Sequence, residues 1–107
     1  MEDDYSILQL FFIGDIEKSI FISKQFNMEQ NLVDAYILFA KLYQELALPK
    51  TSLRADYIKN SLKMFQMAKS VPIVAEHKHL QQKIKDEIAV FTSFCKLNGI
   101  ALKKNTK

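Results

Sequence analysis

The sequence contains little glycine and proline and only one cysteine. Two Gly and two Pro occur in 107 residues, so few positions favour the left-handed backbone of tight hairpins. No glycine-rich loop of the kind that holds a phosphate is present. These absences argue against small β-sandwiches, Rossmann domains and P-loop enzymes. The lone Cys95 can form neither an internal disulfide nor a cysteine-rich zinc site, which argues against a secreted scaffold.

Long hydrophobic runs and a basic leader are also missing. The longest uninterrupted apolar stretch covers residues 35–40, far short of the roughly 20 residues that span a bilayer. The chain starts with an acidic segment, residues 1–4, where a signal peptide or mitochondrial presequence would be basic. We therefore expect a cytoplasmic protein that reaches membranes only through a partner.

The remaining composition is that of an ordinary folded domain. Apolar residues make up 49% of the chain and charged residues 25%, close to the average for globular proteins. A chain of this length favours one domain over residues 1–107. The polar tail, residues 103–107, is expected to be frayed.

Apolar residues recur three or four positions apart through most of the chain, which predicts an all-α fold. A short first helix is predicted over residues 4–13, capped by Asp3 or Asp4, and Gly14 weakens or bends it. Asp15 offers a fresh N-cap for a second helix over 16–26, although one kinked helix through both segments remains an alternative.

Three more features set the later boundaries. After a corner at 27–31, a helix is predicted over 32–48 and ends before Pro49; Thr51 or Ser52 caps the next one, which ends at Ser70. Pro72 fits the first turn of a last helix that reaches about Leu97, and Gly99 stops it. The prediction is an antiparallel bundle of three long helices, with a short N-terminal and a long C-terminal helix.

The net charge of +3 conceals two halves of opposite sign. Residues 1–47 hold eight acids and three lysines, whereas residues 48–107 hold four acids and twelve bases. Such a division could steady the fold, align two copies or present a basic face to an acidic partner. Only one of the twelve bases is arginine, the residue best suited to phosphate and base recognition, so lysines solvating helix surfaces are favoured over nucleic-acid binding. The candidate basic face consists of Arg54, Lys59, Lys63 and Lys69.

Residues able to carry catalysis or bind metal are few. His77 and His79 lie two apart, so on a helix they point to different sides. Glu76 and His79 make one Glu-x-x-His step, whereas a helical di-iron site needs two and further carboxylates. Cys95 falls on an apolar stripe, where a thiol usually packs as a small hydrophobe. We expect no catalytic residue, no metal and no cofactor.

Surplus apolar helix surface points instead to a protein partner or a second copy. The first helix has more large apolar residues than one buried stripe needs, and the helix over 32–48 has polar residues near one face only. The first helix either packs within the monomer or docks on another chain. The candidate partner-binding residues are Tyr5, Leu8, Phe11, Phe12, Tyr36 and Tyr43.

The hairpin over residues 16–43 resembles the microtubule-interacting-and-transport (MIT) type of helical module, most closely the N-terminal dimerisation module of endosomal deubiquitinating enzymes. A corner with Asn31 is followed by the small, aromatic and aliphatic residues of 35–38, with further aromatics at Phe39 and Tyr43. A tetratricopeptide hairpin is partly similar, on the residues Ile22, Ser23, Phe26, Ala35 and Phe39, but Ala47 stands where that repeat has its terminal proline.

The resemblance implies a non-catalytic adaptor or regulatory module in trafficking, autophagy or ubiquitin handling. Such a module receives a partner helix in an apolar groove or pairs with its own copy. The alternative from another class is a small regulatory protein whose basic half binds nucleic acid or an acidic protein surface.

Overall fold

The structure is a computed structural model that describes residues 2–102, with side chains from residue 13 onward. Within that range it contains α-helices and no β-strand, as predicted. The helices are α1 (Glu2–Gln25), α2 (Glu29–Leu46), α3 (Arg54–Ser70), α4 (Pro72–Glu76) and α5 (Lys78–Leu97). The tail at 103–107, expected to be frayed, lies outside the described residues.

Helix α1 runs without a break through the position where two helices were predicted. Gly14 and Asp15 are both inside α1, so Asp15 is not an N-cap. A single glycine in a helix interior costs about 1 kcal/mol relative to alanine, which is too little to end a helix that packs on a neighbour. The predicted caps Asp3 and Asp4 were also wrong, because α1 begins at Glu2 and includes both residues.

The corner between α1 and α2 depends on one left-handed residue. Asn27 has φ 56°, and the Met28 N–H donates to the Ser23 carbonyl at 2.8 Å. This bond closes a Schellman motif, in which Asn is the usual substitute for Gly. The corner therefore takes only residues 26–28, and α2 begins at Glu29, three residues earlier than predicted.

The Arg54 side chain holds the connection from α2 to α3, a role that was not predicted from the sequence. The Arg54 Nε–H donates to the Ala47 carbonyl at 2.8 Å, which satisfies a carbonyl just past the end of α2. Helix α3 starts at Arg54 with Leu53 at the N-cap. The prediction that Thr51 or Ser52 caps this helix was therefore wrong. The Thr51 hydroxyl accepts the Leu53 N–H at 3.3 Å, ahead of the helix.

The predicted last helix is two helices. His77 adopts an extended conformation between α4 and α5. In an unbroken helix Val74 and Leu80 would point about 120° apart, whereas the break leaves both buried in the core. The Gln81 side-chain amide donates to the Val74 carbonyl at 2.9 Å, near the end of α4.

The start of α4 and the end of α5 agree with the prediction from the sequence. Pro72 occupies the first turn of α4. Gly99 has φ 67°, and the Ile100 N–H donates to the Cys95 carbonyl at 2.8 Å. This is a second Schellman motif, so Gly99 ends α5 as predicted.

Helix α2 lies between two apolar clusters. One joins α2 to the later helices through fully buried residues such as Phe65 and Phe91, whose rings lie 5.6 Å apart. The other joins α2 to α1 through Ile13, Ile16, Ala35, Phe39 and Leu46. Because both sides of α2 are covered, its polar residues are confined to a narrow stripe.

Small residues bring α2 and α3 close together. Ala40 and Ser61 are both fully buried, and the Ser61 hydroxyl donates to the Ala40 carbonyl at 2.7 Å. This hydrogen bond satisfies the one hydroxyl that the contact buries. A larger side chain at either position would separate the two helices.

We expect Gly14→Ala to stabilise the protein. A Cβ at Gly14 meets no side chain of the described residues within 4 Å, and alanine in a helix interior is favoured over glycine by roughly 0.5–1 kcal/mol. The matched control, Gly99→Ala, should destabilise the protein, because φ 67° strains an L-residue. Urea unfolding of both variants measures the two changes. A loss of stability in Gly14→Ala would contradict a continuous α1.

Candidate protein-binding surface

Helix α1 is an edge helix over the residues whose side chains the structure describes. In that range its backbone approaches α2 and no other helix. It presents to the core a single narrow stripe of Ile13, Ile16, Ile20 and Ser23, which are buried or half-buried. The remaining faces of α1 between residues 13 and 25 are therefore largely open to solvent.

One leucine interrupts the exposed stripe of α2. The exposed positions Asn31, Asp34, Leu38, Lys41 and Glu45 follow one another at helical spacing. Four of them are polar, but Leu38 retains 51% of its accessible surface. An exposed leucine between polar neighbours on a central helix marks this stripe as a candidate contact surface.

Leu38 stands in a groove between α1 and α2 with a volume of about 490 Å³. Its floor and walls combine apolar side chains with a polar rim from both helices. The lining residues are Asp15, Ile16, Ser19, Asn31, Asp34, Ala35, Leu38 and Leu42. The small Ala35 leaves the space that the larger side chains surround.

The α1 wall of the groove continues toward the corner with two more apolar side chains. Ile22 and Phe26 follow Ser19 by three and seven residues, which places them on the same side of α1. They are 50% and 66% exposed. From Asp15 to Phe26 this wall is about 16 Å long, the length of three turns of a partner helix.

The polar rim of the groove is acidic within the described part of the chain. Asp15 projects from α1 and Asp34 from α2, and neither of the other polar lining residues is charged. The Lys83 ammonium of α5 lies 3.3 Å from an Asp34 carboxylate oxygen, and both side chains are about half exposed. A pair this exposed is worth little, about 0–1 kcal/mol, so it leaves Asp34 accessible to another cation.

The predicted partner-binding residues divide among three environments. Tyr36 is only 4% exposed and belongs to the core, so it is not available on the surface. Tyr43 is half-buried, with its ring 4.9 Å from Phe39 and 6.1 Å from Tyr57. Burial, then the Glu17 carboxylate and then Tyr57 raise the pKa of the Tyr43 phenol. The others, Tyr5, Leu8, Phe11 and Phe12, lie in the part of α1 whose side chains are not described.

The four predicted basic residues do not form one face. About 100° separates successive residues on a helix, which puts Lys59 and Lys63 about 140° and 180° from Arg54. Arg54 is half-buried and bonded to Ala47. Lys69 lines a different groove, beside α4 and α5. The structure therefore brings Lys59 and Lys63 together and separates the other two.

The candidate chemical residues lie apart from the groove. The rings of His77 and His79, predicted to point to different sides of a helix, lie 5.6 Å apart, because His77 is extended ahead of α5. Among the described residues no three His, Cys, Asp or Glu side chains are placed to share a metal ion. Cys95 is buried in the core. Burial raises the pKa of its thiol, and the Arg54 guanidinium offsets only part of that effect. A raised pKa is the opposite of what activates a cysteine nucleophile.

The sequence reasoning missed the residues that form the groove. Leu38 had a signal: it follows Asp34 by four residues and precedes Lys41 by three, so it sits inside the polar stripe of α2. Asp15 was interpreted as a cap. The partnership of α1 and α2 that joins these residues in one groove is a tertiary property, so no local pattern contains it.

Comparisons with protein-family models, curated proteins and solved structures find no match to this chain. Across residues 2–102, no helix combines the length and apolar character needed to cross a membrane.

The burial of Cys95 predicts a pH dependence of stability. Its pKa in the folded chain is raised above the usual 9.0, so the folded state holds the thiol proton more tightly than the unfolded state. The resulting stabilisation is fully present below pH 9 or so and is lost as the pH rises through the folded pKa. Urea unfolding between about pH 7 and pH 10.5 should show a steeper decline for the wild type than for Cys95→Ala.

The comparison of the two proteins cancels the other titrations. Tyr43 also has a raised pKa, starting from 10.0, but it is present in both. Parallel stability curves would contradict the assignment of a buried, protonated thiol.

Proposed function

We propose that this chain is a non-catalytic protein–protein interaction module, adaptor or regulatory in role, built as a bundle of successive antiparallel helices. It binds a helix of a partner protein in the groove between α1 and α2. The supporting observation is Leu38, a half-exposed leucine in a groove whose walls carry further apolar side chains. Grooves of this kind accept the apolar face of an amphipathic helix.

The dimensions of the groove fit this occupant. A partner helix of about three turns presents apolar residues at i, i+3 or i+4, and i+7, and the groove offers Leu42, Leu38 and Ala35 along α2. Ile22 and Phe26 extend the apolar wall by about two turns. The resemblance to MIT-type modules supports the same mode of binding, and with it a role in trafficking, autophagy or ubiquitin handling. Self-association is the alternative outcome for this surface.

Helical peptides selected from a display library test the proposal. The selection uses the wild-type protein, and affinities are then measured for Leu38→Gln and for a matched control, Leu48→Gln. Leu38 and Leu48 are both 51% exposed, but Leu48 lies after α2 and does not line the groove. We expect Leu38→Gln to weaken binding by about tenfold, as for a central apolar contact, and Leu48→Gln to leave it within about twofold.

Amide chemical shifts in solution locate the peptide. Perturbations should concentrate on residues 15–25 of α1, on Phe26 in the corner and on residues 31–42 of α2. Peptides that bind Leu38→Gln as tightly as the wild type, or that perturb α3 instead, would refute the groove as the binding site.

A further inference from the structure

We propose that the groove between α1 and α2 selects a basic amphipathic helix from a partner protein, one with lysine or arginine on both flanks of its apolar stripe. This inference rests on the proposed function and adds the charge of the ligand. It follows from the placement of two carboxylates on opposite walls of one apolar groove, Asp15 on α1 and Asp34 on α2.

The two carboxylates differ in how far the protein itself neutralises them. Asp15 makes no ion pair with any described residue, and Asp34 has only the exposed contact with Lys83. A helix that brings one cation to Asp15 and another to Asp34 gains attraction from both walls, whereas an acidic helix is repelled by both carboxylates.

The overall charge of the protein acts in the opposite direction. The chain carries a net charge of +3, so a non-specific electrostatic attraction would favour acidic peptides. Preference for a basic helix can therefore come only from the local field of the groove. This opposition makes the charge of the ligand a sharp test.

A second copy of this chain fits the groove less well than a separate helix. A two-fold symmetric dimer joins the same patch on both subunits, so it would place the acidic rims of the two grooves against each other. The exposed face of α3 that carries Lys59 and Lys63 has no large exposed apolar residue to enter the groove. We therefore assign the groove to a partner helix.

Three synthetic helices of about 18 residues serve as probes. They share one leucine stripe and differ only in the flanking residues, which are lysine, glutamate or glutamine. Fluorescence anisotropy measures their affinity for the wild type at low salt and at about 0.3 M salt. We expect the lysine-flanked helix to bind at least about tenfold more tightly than the glutamate-flanked helix at low salt, with a smaller ratio at high salt.

Two double variants with the same net charge locate the source of the preference. Asp15→Asn with Asp34→Asn neutralises the groove and should remove most of the preference for lysine. Glu76→Gln with Asp86→Asn neutralises two exposed acids elsewhere and should preserve it. The amide oxygen that Asp86→Asn introduces can still accept the hydrogen bond that the Gln82 amide donates to Asp86 at 2.8 Å, so the control keeps this contact.

The outcomes separate this inference from the proposed function. If all three helices bind equally and Leu38→Gln weakens each of them, the interaction module stands and the charge preference is wrong. If no helix binds in a way that depends on Leu38, the proposed function fails. A preference for lysine that survives neutralisation of the groove, or self-association in sedimentation that depends on Asp15 and Asp34, overturns the inference.

Discussion

The close contact of α2 with α3 is the constraint on which the rest of the structure depends. Ala40 and Ser61 have lost all exposure, and the hydroxyl of one is bonded to the carbonyl of the other. This contact fixes one side of α2 against α3 and, through Phe65 and Phe91, against α5. The other side of α2 is then free to hold α1. The groove exists because α3 and α5 cover one side of α2, whereas α1 covers only part of the other side.

The same arrangement explains why surface and core are hard to tell apart in this chain. Helix α2 is apolar nearly all round, and its aromatic residues have different fates: Tyr36 is part of the core, whereas Tyr43 lies half-buried between Phe39 and Tyr57. The exposed leucine, not the aromatic residues, marks the surface. Its neighbour Asp34 pairs with Lys83 of α5 at 3.3 Å, and Lys41 pairs with Glu87 of α5 at 3.5 Å. The polar stripe of α2 therefore also contacts α5.

Local patterns predicted the helical class and the signals at Pro72 and Gly99, because capping and turn chemistry act over a few residues. They failed where tertiary packing decides. Gly14 was expected to weaken or bend α1, but α2 supports α1 on both sides of it, at Ile13 and Ile16. His77 was placed inside a helix, but the burial of Val74 and Leu80 requires the chain to turn there. The basic residues of α3 were counted together, although Arg54 is bound at the end of α2. The groove could not be predicted from local patterns either, because residues from two helices line it.

The three-residue corner at 26–28 also has a consequence for how the chain reaches this structure. Helices α1 and α2 meet across a very short loop, and α2 and α3 across the seven residues 47–53, so the first contacts form between segments that are adjacent in sequence. Folding rates rise when contacts are local, and we expect this three-helix unit to assemble rapidly. Helix α5 must close a longer loop before it reaches α2, so we expect it to dock later in folding.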